Sequence, residues 1–559
     1  MRLTRRRALC ALSGLSAVPA LGGLTEAPEK NLAFNHGVAS GDPLSDRVIL
    51  WTRISGCDSP VSVTWQVAAD DSFAAPVAQG AFVTDASRDY TVKIDAAGLK
   101  PGTPYCYRFQ CKTVTSPVGR THTLPETTKD VVLAVASCSL HPNGYFNAYR
   151  AIADLDRVDA VVHLGDYIYE YGAGETDYGM GNGCVLGRVP EPVFEIVTLT
   201  DYRARHAQYK ADEDLQAAHA RAPWICVFDD HEIANNPWTS GAENHNPEKG
   251  EGDWWARKAA ALKAYGEWMP IRDAAPGKLR EAIYRSFRFG DIAELILFET
   301  RLLARSKQLD YQDLKIVGGK PNFAGFRAEL NSPSRELLGP EQRQWLGATL
   351  KASATDGVRW QVLGNQVVMA RMPGPDLISL FGPEKIAAIL TALPQDTRTK
   401  VEIMTGLFSK DVALPFNLDA WDGYPAERER LYDLIKQSGA RTVVVSGDSH
   451  TAWANQLHDA QGREVAVELG VTSVTSPTRW LDAWLPDLQL AKTLADQNPE
   501  IIAADDGHNG FVRLTLSHDE MTGEWMAVDT IMSKTFTCKS KARFTAQALP
   551  GAVGELKIA

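Results

Sequence analysis

The chain has 559 residues, too many for one compact core, so we expect two or more domains. A hydrophobic content of 44% and a charged content of 23% are typical of a soluble globular protein. The formal net charge of -11 argues against nucleic acid as a specific partner, because phosphate backbones bind basic surfaces. A bound metal ion would still allow a phosphorylated small molecule to bind.

Residues 1–28 are predicted to be an export signal rather than part of the fold. MRLTRRRALCALSGLSAVPALGG has a basic start, an apolar stretch from about Ala8 to Ala20 and small residues at its end. Arg5, Arg6 and Arg7 resemble the signal that is read by the twin-arginine export machinery; an ordinary secretory signal is the alternative. No stretch has the ~18 uninterrupted apolar residues of a membrane helix. We therefore expect a periplasmic or secreted protein without a transmembrane segment.

Residues 29–127 are predicted to form an all-β domain. Strand patterns lie between Gly, Pro and Asp turns in HGVASGDPLSDRVILWTRI, SVTWQVAADDSF and DYTVKIDAAGLKPGTPYCYRFQC. LKPGTPYCYRF is typical of a turn and strand in an immunoglobulin or fibronectin type III sandwich. Cys106 and Cys111 are five residues apart and are expected on opposite faces of a strand.

Residues 128–535 are predicted to be an α/β domain, followed by a C-terminal tail at 536–559. Apolar runs alternate here with helical patterns such as LTDYRARHAQYKADEDLQAAHARA, Trp254 to Pro270 and PAERERLYDLIKQSG. The predicted strands are DVVLAVASC, DAVVHLGD, PWICVFDDHE, IAELILFETR, RWQVLGNQVV and RTVVVSGDSH.

Five of these apolar runs lead directly into a cysteine, an acid, an amide or a histidine. In an α/β fold, ligands bind at the carboxyl ends of the strands, so these polar side chains are expected to share one rim. The predicted rim residues are Cys138, Asp166, Tyr169, Asp230, His231, Asn235, Asn236, Asn365, Asp448 and His450.

This mixture of carboxylate, imidazole, thiolate, phenolate and amide groups indicates a metal site. Hard oxygen ligands favour divalent or trivalent cations, and a phenolate beside a thiolate favours ferric iron. Asp166 is a candidate bridge between two ions, which would hold the attacking and leaving oxygens of a phosphoryl displacement. Tyr169 follows Asp166 by three residues, so one helical turn is predicted to bring both side chains to the same face.

Each of these residues also has a simpler structural interpretation. A strand-end aspartate such as Asp166 is often a helix N-cap, Cys138 suits a buried apolar position, and Tyr169 suits packing. Asp229 and Glu232 in DDHE would then be solvated surface charges. The occurrence of GDxxY, DDHE and GDSH in chain order, each after an apolar run, favours the metal site.

The chain resembles the alkaline phosphatase D (PhoD-type) family of the calcineurin-like metallophosphoesterases. The resemblance covers most of the chain, from the β domain to beyond residue 470. It rests on FNHGVASGDPLSDRVILWTRI, ASCSLHPNGYFNAYR, HLGDYIYEYG, RARHAQYKADEDLQAAHARAPWICVFDDHEIANN, VLGNQV, WDGYPAERERL, VVSGDSHTAWAN and ELGVTSVTSP. It implies an Ig-like N-terminal domain and a four-layer α/β/β/α metallophosphoesterase core.

The resemblance also implies a centre of Fe3+ and Ca2+ related to that of purple acid phosphatases. Cys138, Asp166 and Tyr169 would hold the ferric ion, with His450 as a further ligand. With Cys138 engaged as a thiolate, six of the seven cysteines beyond the signal remain. Six thiols allow up to three disulfides, whose pairing the sequence does not define.

On the calcium side, the resemblance implies Asp230, Asp448 and one of Asn235 or Asn236, with Asp166 as the bridge. FETR departs from many relatives, because Glu299 stands where they have Asp. No departure of this kind removes a proposed ligand.

The activity implied is that of an exported metal-dependent alkaline phosphatase, in which a metal-activated water or hydroxide attacks a small phosphomonoester. A phosphodiesterase or phospholipase D-like enzyme on the same centre is the alternative, and an inactive scaffold that only binds a ligand is the rival from another class. His231 would be the hydrogen-bond donor or general acid at the leaving oxygen, with Asp166 the second catalytic residue. Arg428 in WDGYPAERER would steady this loop, reach the substrate or pack its helix.

Overall fold

The computed structural model describes residues 31–559 except 175, 275–276, 393–397, 399–400, 403–404 and 480–488. The predicted export signal at 1–28 therefore lies outside the described residues. Among the residues described, no helix combines the length and the apolar character needed to cross a membrane.

The strands and helices follow the predicted alternation. The strands before residue 127 are β1 Val38–Gly41, β2 Arg47–Arg53, β3 Val61–Ala68, β4 Ala78–Thr84, β5 Thr91–Ala97, β6 Pro104–Cys111, β7 Val114–Thr115 and β8 Gly119–His122. Those that follow are β9 Asp130–Ala136, β10 Ala160–His163, β11 Trp224–Cys226, β12 Arg285–Phe289, β13 Ala293–Leu297, β14 Ile316–Val317, β15 Lys320–Pro321, β16 Trp360–Asn365, β17 Thr442–Ser446, β18 Ala452–His458, β19 Glu464–Gly470, β20 Ile501–Asp505, β21 Asn509–Ser517, β22 Glu520–Val528, β23 Cys538–Leu549, β24 Ala552–Val553 and β25 Lys557–Ile558.

The helices lie between these strands. They are α1 Asn147–Ala153, α2 Met180–Leu186, α3 Leu199–Lys210, α4 Glu213–Arg221, α5 Trp254–Trp268, α6 Phe323–Leu330, α7 Pro340–Thr355, α8 Leu377–Phe381, α9 Pro383–Ala392, α10 Pro425–Ser438 and α11 Leu490–Gln497. The first predicted helical segment contains two helices, α3 and α4. A new helix begins after Asp212 because the Asp212 carboxylate accepts the N–H groups of Asp214 and Leu215 and so caps the start of α4.

The N-terminal residues form the predicted all-β unit. β3, β4, β6, β7 and β8 make one antiparallel sheet. The buried positions of β6 alternate with more exposed ones, which is the pattern of a half-buried strand. Cys111 is buried and Cys106 is on the other face, as its spacing predicts. All seven cysteines of the described residues are free thiols.

The second sheet of this unit belongs to the large sheet of the α/β region. Strand β1 pairs in parallel with β11, with Gly41 opposite Trp224, and the Asp42 N–H donates to the Trp224 carbonyl at 3.0 Å. A Cβ on Gly41 would lie 2.2 Å from the Pro270 carbonyl oxygen, so this close approach requires glycine. The strand order of this 11-stranded sheet is β24-β23-β22-β21-β9-β10-β11-β1-β2-β5, with β25 beside β23.

A 7-stranded sheet faces the large sheet across a common core. Its order is β12-β13-β16-β17-β19-β18-β20. Side chains from both sheets, such as Val162 of β10 and Val362 of β16, belong to one buried apolar cluster. Strands β9, β10 and β11 run parallel to one another, as do β13, β16, β17 and β19. All six predicted apolar runs are strands, so the fold is mixed α/β.

Residues 536–559, assigned from the sequence to a tail, contribute β23, β24 and β25. Strand β23 pairs antiparallel with β22 over its length, with Thr545 opposite Thr522. Phe544 and Ala546 of this strand are buried in the main core. The segment is therefore part of the large sheet.

Candidate metal centre

The carboxyl ends of parallel strands bring the predicted ligands to one place. Strands β9, β10 and β11 are neighbours in the large sheet and lead into Cys138, Asp166 and Asp230. Strand β17 of the second sheet leads into Asp448 and His450. Side chains of both sheets belong to one buried cluster, and ligand atoms that follow strands of both sheets lie within 4.8 Å of one another, so these strand ends meet at a common rim.

The turns after these strands are conformationally unusual. A backbone φ in the left-handed region is uncommon for residues other than glycine, and it concentrates at sites where function demands a specific orientation. The predicted ligands with such a φ are Cys138 (60°), Asp166 (56°), Asn236 (47°), Asp448 (65°) and His450 (56°).

The backbone conformation of residue 165 explains why β10 is followed by a glycine, Gly165, and a carboxylate, Asp166. Its φ is 112°, and a Cβ at this position would lie 2.3 Å from the Cβ of Asp229. Any other residue would push the two turns apart. The glycine therefore allows Asp166 to approach the turn that carries Asp230.

Cys138, Asp166 and His450 form the first group of candidate ligands. One ligand atom from each lies within 4.8 Å of the others. The Tyr169 hydroxyl joins them, because it donates to Oδ2 of Asp166 at 3.0 Å and lies 3.5 Å from Nε2 of His450. The Ser476 hydroxyl in turn donates to the Tyr169 oxygen at 2.6 Å.

The predicted helical turn between Asp166 and Tyr169 is wrong. Residues 166–169 are not helical, and Tyr167 and Ile168 between the two side chains form bends. The left-handed backbone of Asp166 and the following bends bring the two side chains together instead. The predicted contact exists, but its local cause is different.

His450 presents one ring nitrogen to this group. Its Nδ1 lies 3.0 Å from the Pro477 carbonyl oxygen, which can only accept a hydrogen bond. Nδ1 therefore carries the proton, and the lone pair of Nε2 faces Tyr169. Backbone carbonyls orient metal-binding histidines in this way. Burial lowers the pKa of His450 to about 4, which keeps the ring neutral.

The second group contains Asp166, Asp230 and His231, and a third contains Asp229, Asp230 and Asp448. Asp166 belongs to the first two groups, as a bridging ligand would. Oδ1 of Asp230 and Oδ2 of Asp229 are buried and have no hydrogen-bond partner among the described residues. Buried carboxylate oxygens without a donor fit the oxygen-rich coordination of a hard cation.

The pKa values of three candidate ligands, Cys138, Asp166 and Tyr169, are shifted in the direction expected for a buried site that binds cations. Burial raises the pKa of Cys138 well above its usual value, and the nearby Asp166 adds to the rise. The same burial, with the Asp230 charge beside it, raises the pKa of Asp166, and burial followed by the Asp166 charge does so for Tyr169. A bound cation favours the deprotonated forms and reverses these shifts.

Asn235 and Asn236 differ in how their side chains are engaged. The side-chain oxygen of Asn235, Oδ1, accepts a hydrogen bond from the Tyr171 hydroxyl at 3.3 Å. The Asn236 amide nitrogen donates to Glu243 at 2.6 Å, while its backbone N–H donates to Asp230 at 3.0 Å. No donor to the Asn236 side-chain oxygen is present in the described residues. Asn236 is therefore the better placed of the two to bind a cation.

His231 lies against Tyr169 and is oriented by Glu170. Its ring stacks on that of Tyr169 with a centroid distance of 4.2 Å. Its Nδ1 donates to the buried Glu170 carboxylate at 2.7 Å. Burial alone would lower the pKa of His231, but the carboxylates of Asp230, Glu170 and Asp166 together raise it well above its usual value. The remaining nitrogen, Nε2, lies 3.8 Å from Asp230.

Glu232 holds the ligand turns together and is not a surface charge. It is buried, as is Asp229, so their interpretation as solvated charges is wrong. The Glu232 carboxylate accepts the N–H groups of Asp166 (3.0 Å), Tyr167 (2.7 Å) and Asp229 (2.9 Å). Its position in DDHE was visible in the sequence, but its burial was not.

Two other predicted residues have partners elsewhere. Arg428 is buried on α10, where its guanidinium donates to Asp422 at 2.5 Å and to the Met369 carbonyl at 3.2 Å. It is absent from the described lining of the cavity over the ligands, and its contact with Asp422 fits the alternative in which it steadies the WDGYP loop. Asn365, a rim candidate, accepts from the Trp421 indole at 3.1 Å.

A cavity of about 960 Å³ opens over the candidate ligands. It is broader than the cluster of acids at its base. Its lining includes Asp166, Asp230, His231, Asn235, Asn236, Asp448 and His450, and also the apolar side chains Val368, Met372, Phe408, Phe416, Trp453 and Leu494.

Known proteins match this chain over most of its length. Residues 133–525 match the PhoD-like phosphatase family, and residues 19–125 match the PhoD-like phosphatase N-terminal domain. The chain belongs to the PhoD-like phosphatase family. Alkaline phosphatase D of Bacillus subtilis (strain 168) is 34% identical over 533 residues, which cover 92% of this chain and 81% of the relative.

Solved structures agree with this assignment to the PhoD-like family. The structure of PhoD matches with a TM-score of 0.77 and 31% identity, over 96% of this chain and 93% of that one. Purple acid phosphatase PPD1 from yellow lupin (Lupinus luteus) seeds matches with a TM-score of 0.51 and 13% identity, over 91% and 73% of the two chains. The second likeness shows a related fold only. Membership of this family supports phosphatase activity.

Proposed function

We propose that this chain is an exported, metal-dependent phosphoester hydrolase that acts on phosphomonoesters. The observation that carries the proposal is the pair of ligand groups that share Asp166 at the base of a large cavity. A carboxylate common to two adjacent groups suits a bridging ligand between two metal ions. The 34% identity to an alkaline phosphatase supports the same reaction.

The two groups differ in donor chemistry, and each suits a different ion. A thiolate, a phenolate, a carboxylate and an imidazole favour Fe3+ at Cys138, Asp166, Tyr169 and His450. Carboxylate and amide oxygens favour Ca2+ on the other side. That set is Asp166, Asp230, Asp448 and Asn236, with Asn235 as the less suitable alternative.

The ions would lower the pKa of an attacking water and neutralise charge on the phosphoryl oxygens. The protein's own part is to orient the groups around them. Glu170 holds Nδ1 of His231 at 2.7 Å, so Nε2 is left to donate to the leaving oxygen. Burial excludes bulk water from the rim, which strengthens each of these electrostatic interactions.

The wider organisation of the molecule is part of the proposal. We infer an Ig-like β domain at 29–127 and a catalytic domain with four α/β/β/α layers that begins at 128 and includes the strands of residues 536–559. The arginine-rich start of the chain supports twin-arginine export to the periplasm or beyond.

A phosphodiesterase or phospholipase D-like enzyme is the second candidate. The cavity of about 960 Å³ reaches well beyond the acids, and apolar side chains such as Met372, Phe408 and Phe416 line it. A phosphomonoester has one organic substituent, whereas this space would accept a second one.

The first test is to purify the protein without chelator, determine its metals, and assay a phosphomonoester beside a phosphodiester with and without calcium. Bound iron, calcium-dependent turnover and preference for the monoester are expected. Preference for the diester would move the assignment to the second candidate. A metal-free protein that iron and calcium do not activate would contradict both.

Tyr169→Phe is expected to remove the visible phenolate-to-iron absorption of the purified protein while iron stays bound. The reason is that Phe cannot supply a phenolate, whereas Cys138, Asp166 and His450 remain. Absorption spectra and iron content of both proteins provide the measurement. Tyr171→Phe is the matched control, because Tyr171 lines the same cavity but hydrogen-bonds to Asn235. An unchanged spectrum for Tyr169→Phe would exclude Tyr169 as an iron ligand.

A further inference from the structure

The cavity above the candidate ligands has two chemically different parts. Its base is the set of acids and histidines that follow β9, β10, β11 and β17. Its side carries apolar residues from three other segments, which follow β16, precede α10 and begin α11. We call these residues the apolar wall, and they are Val368, Met372, Phe408, Phe416, Leu490 and Leu494. The chemistry proposed at the base uses none of them.

The apolar wall is a continuous surface. Val368, Met372 and Leu494 belong to one buried apolar cluster, and Phe416 and Leu490 pack against that cluster. The Phe416 N–H donates to the Met372 carbonyl at 2.7 Å, which joins two of the three segments. Distant parts of the chain therefore build one apolar side of the cavity.

Aromatic packing fixes the position of Phe408 in this wall. The centroid of its ring lies 5.9 Å from that of Phe416 and 5.9 Å from that of Tyr311. A Cβ on Gly374 would lie 2.2 Å from the Phe408 ring, so the ring lies directly on the glycine backbone. The hydroxyl of Tyr311, which also lines the cavity, donates to the Pro415 carbonyl. This proton is used within the protein, so what this side offers to a ligand is mainly apolar surface.

The position of the acids indicates what would lie against the wall. A phosphoryl group held at the base has its organic substituent in the same cavity, beside the wall. The cavity volume of about 960 Å³ is near the upper end of the range, about 300–1,000 Å³, of pockets that enclose a drug-sized ligand. A small substituent would leave the wall in contact with water, whereas a large apolar substituent would cover it.

We propose that the apolar wall is the subsite for the organic substituent, and that it selects phosphoesters that carry a large apolar group. Phe408, Phe416 and Leu490 are the specificity-determining residues of this subsite. The inference rests on the proposed function and adds the chemical class of the substituent. A long alkyl chain and a fused aromatic ring share this apolar chemistry, so the test includes both.

The test is kcat/KM for two series of phosphomonoesters, from ethyl to octyl phosphate and from phenyl to 1-naphthyl phosphate. Leaving groups within each series have similar acidity, so differences in kcat/KM report how the substituent is bound. We expect kcat/KM to rise about two- to fourfold for each methylene that the wall buries. A gain in one series alone identifies the substituent as a chain or a ring. An active protein with no gain in either series would overturn the inference.

Two variants locate the selectivity in the wall. Leu490→Gln and Phe408→Ala should each lower the ratio of kcat/KM for the largest to the smallest substrate by about fivefold or more. Leu434→Gln is the control for Leu490, because Leu434 is likewise half-buried against the same cluster but is absent from the described lining of the cavity. Phe326→Ala is the control for Phe408, because Phe326 shares its apolar cluster and stacks on Tyr311 but is likewise absent from that lining. Both controls should retain the parental ratio.

Calorimetric titration with octylphosphonate and methylphosphonate provides a readout that needs no turnover. The parent should bind octylphosphonate at least about tenfold more tightly, with a more negative heat-capacity change, because apolar surface leaves water. Equal affinities for the two phosphonates, or a parental substrate ratio in Leu490→Gln, would overturn the inference even if Phe408→Ala does not fold. A parent protein without metal and without activity on any of these phosphoesters would instead contradict the proposed function.

Discussion

Asp166→Ala is expected to abolish turnover, with a loss of at least about 10³-fold, and to release metal from both ligand groups. Asp166 is shared by the Cys138–His450 group and by the Asp230–His231 group, and it is buried. Its removal takes one ligand from each ion and also the acceptor of the Tyr169 hydroxyl. Metal content and phosphoesterase rate measured on the same preparation test this.

Asp177→Ala is the matched control for the Asp166 variant. Asp177 is another carboxylate in the lining of the same cavity, but it accepts from the Gly174 N–H and belongs to none of the three ligand groups. Its replacement should leave metal content unchanged. A near-parental rate and metal content in Asp166→Ala would contradict the two-metal proposal.

His231→Gln is expected to lower kcat by about 10²- to 10⁴-fold while both metals remain bound. The variant replaces the imidazole, whose Nε2 is proposed to donate to the leaving oxygen, with an amide that cannot transfer a proton, and it spares the acids proposed to hold the ions. If His231 is a general acid, the loss should be larger for an alkyl phosphate than for a nitrophenyl phosphate, whose leaving group needs no proton. The measurement is kcat for both substrates in parent and variant.

Two further variants make the His231 result specific. Glu170→Gln should give a smaller loss in the same direction, because the ring keeps its nitrogen but loses the carboxylate that orients it. His245→Gln changes a histidine that lies beside Trp254 and Glu251, outside the ligand groups. It should retain the parental rate. A His231→Gln rate within a few-fold of the parent would remove His231 from the proposed chemistry.

The strands that lead to the site were predictable because their apolar runs are fully buried. Strands such as β10 and β17 have sheet neighbours on both sides and are buried throughout, so a run of apolar residues fills most of each strand. The polar residue that follows is then conspicuous. This is why Cys138, Asp166 and His450 could be assigned to one rim from their positions alone.

The supporting residues were not predictable in the same way. Glu170, Glu232 and Arg301 are charged side chains in segments without a periodic apolar pattern, and such residues are usually solvated. Their burial depends on partners that are 60 or more residues away along the chain. Glu232, for example, accepts the N–H of Asp166, and Arg301 donates to Asp229. The pairing of β1 with β11, which joins the β unit to the large sheet, is likewise a long-range contact.

The sequence by itself determined the order of strands and helices, the rim residues and, through its motifs, the family. These properties depend on local hydrophobic pattern and on residue identity, both of which can be read along the chain. Only the tertiary structure decided that Asp166 and Tyr169 meet through a left-handed bend, that Arg428 binds Asp422, and that a buried arginine holds the acids. Those outcomes depend on which distant groups share a buried space, where every charge must find a partner.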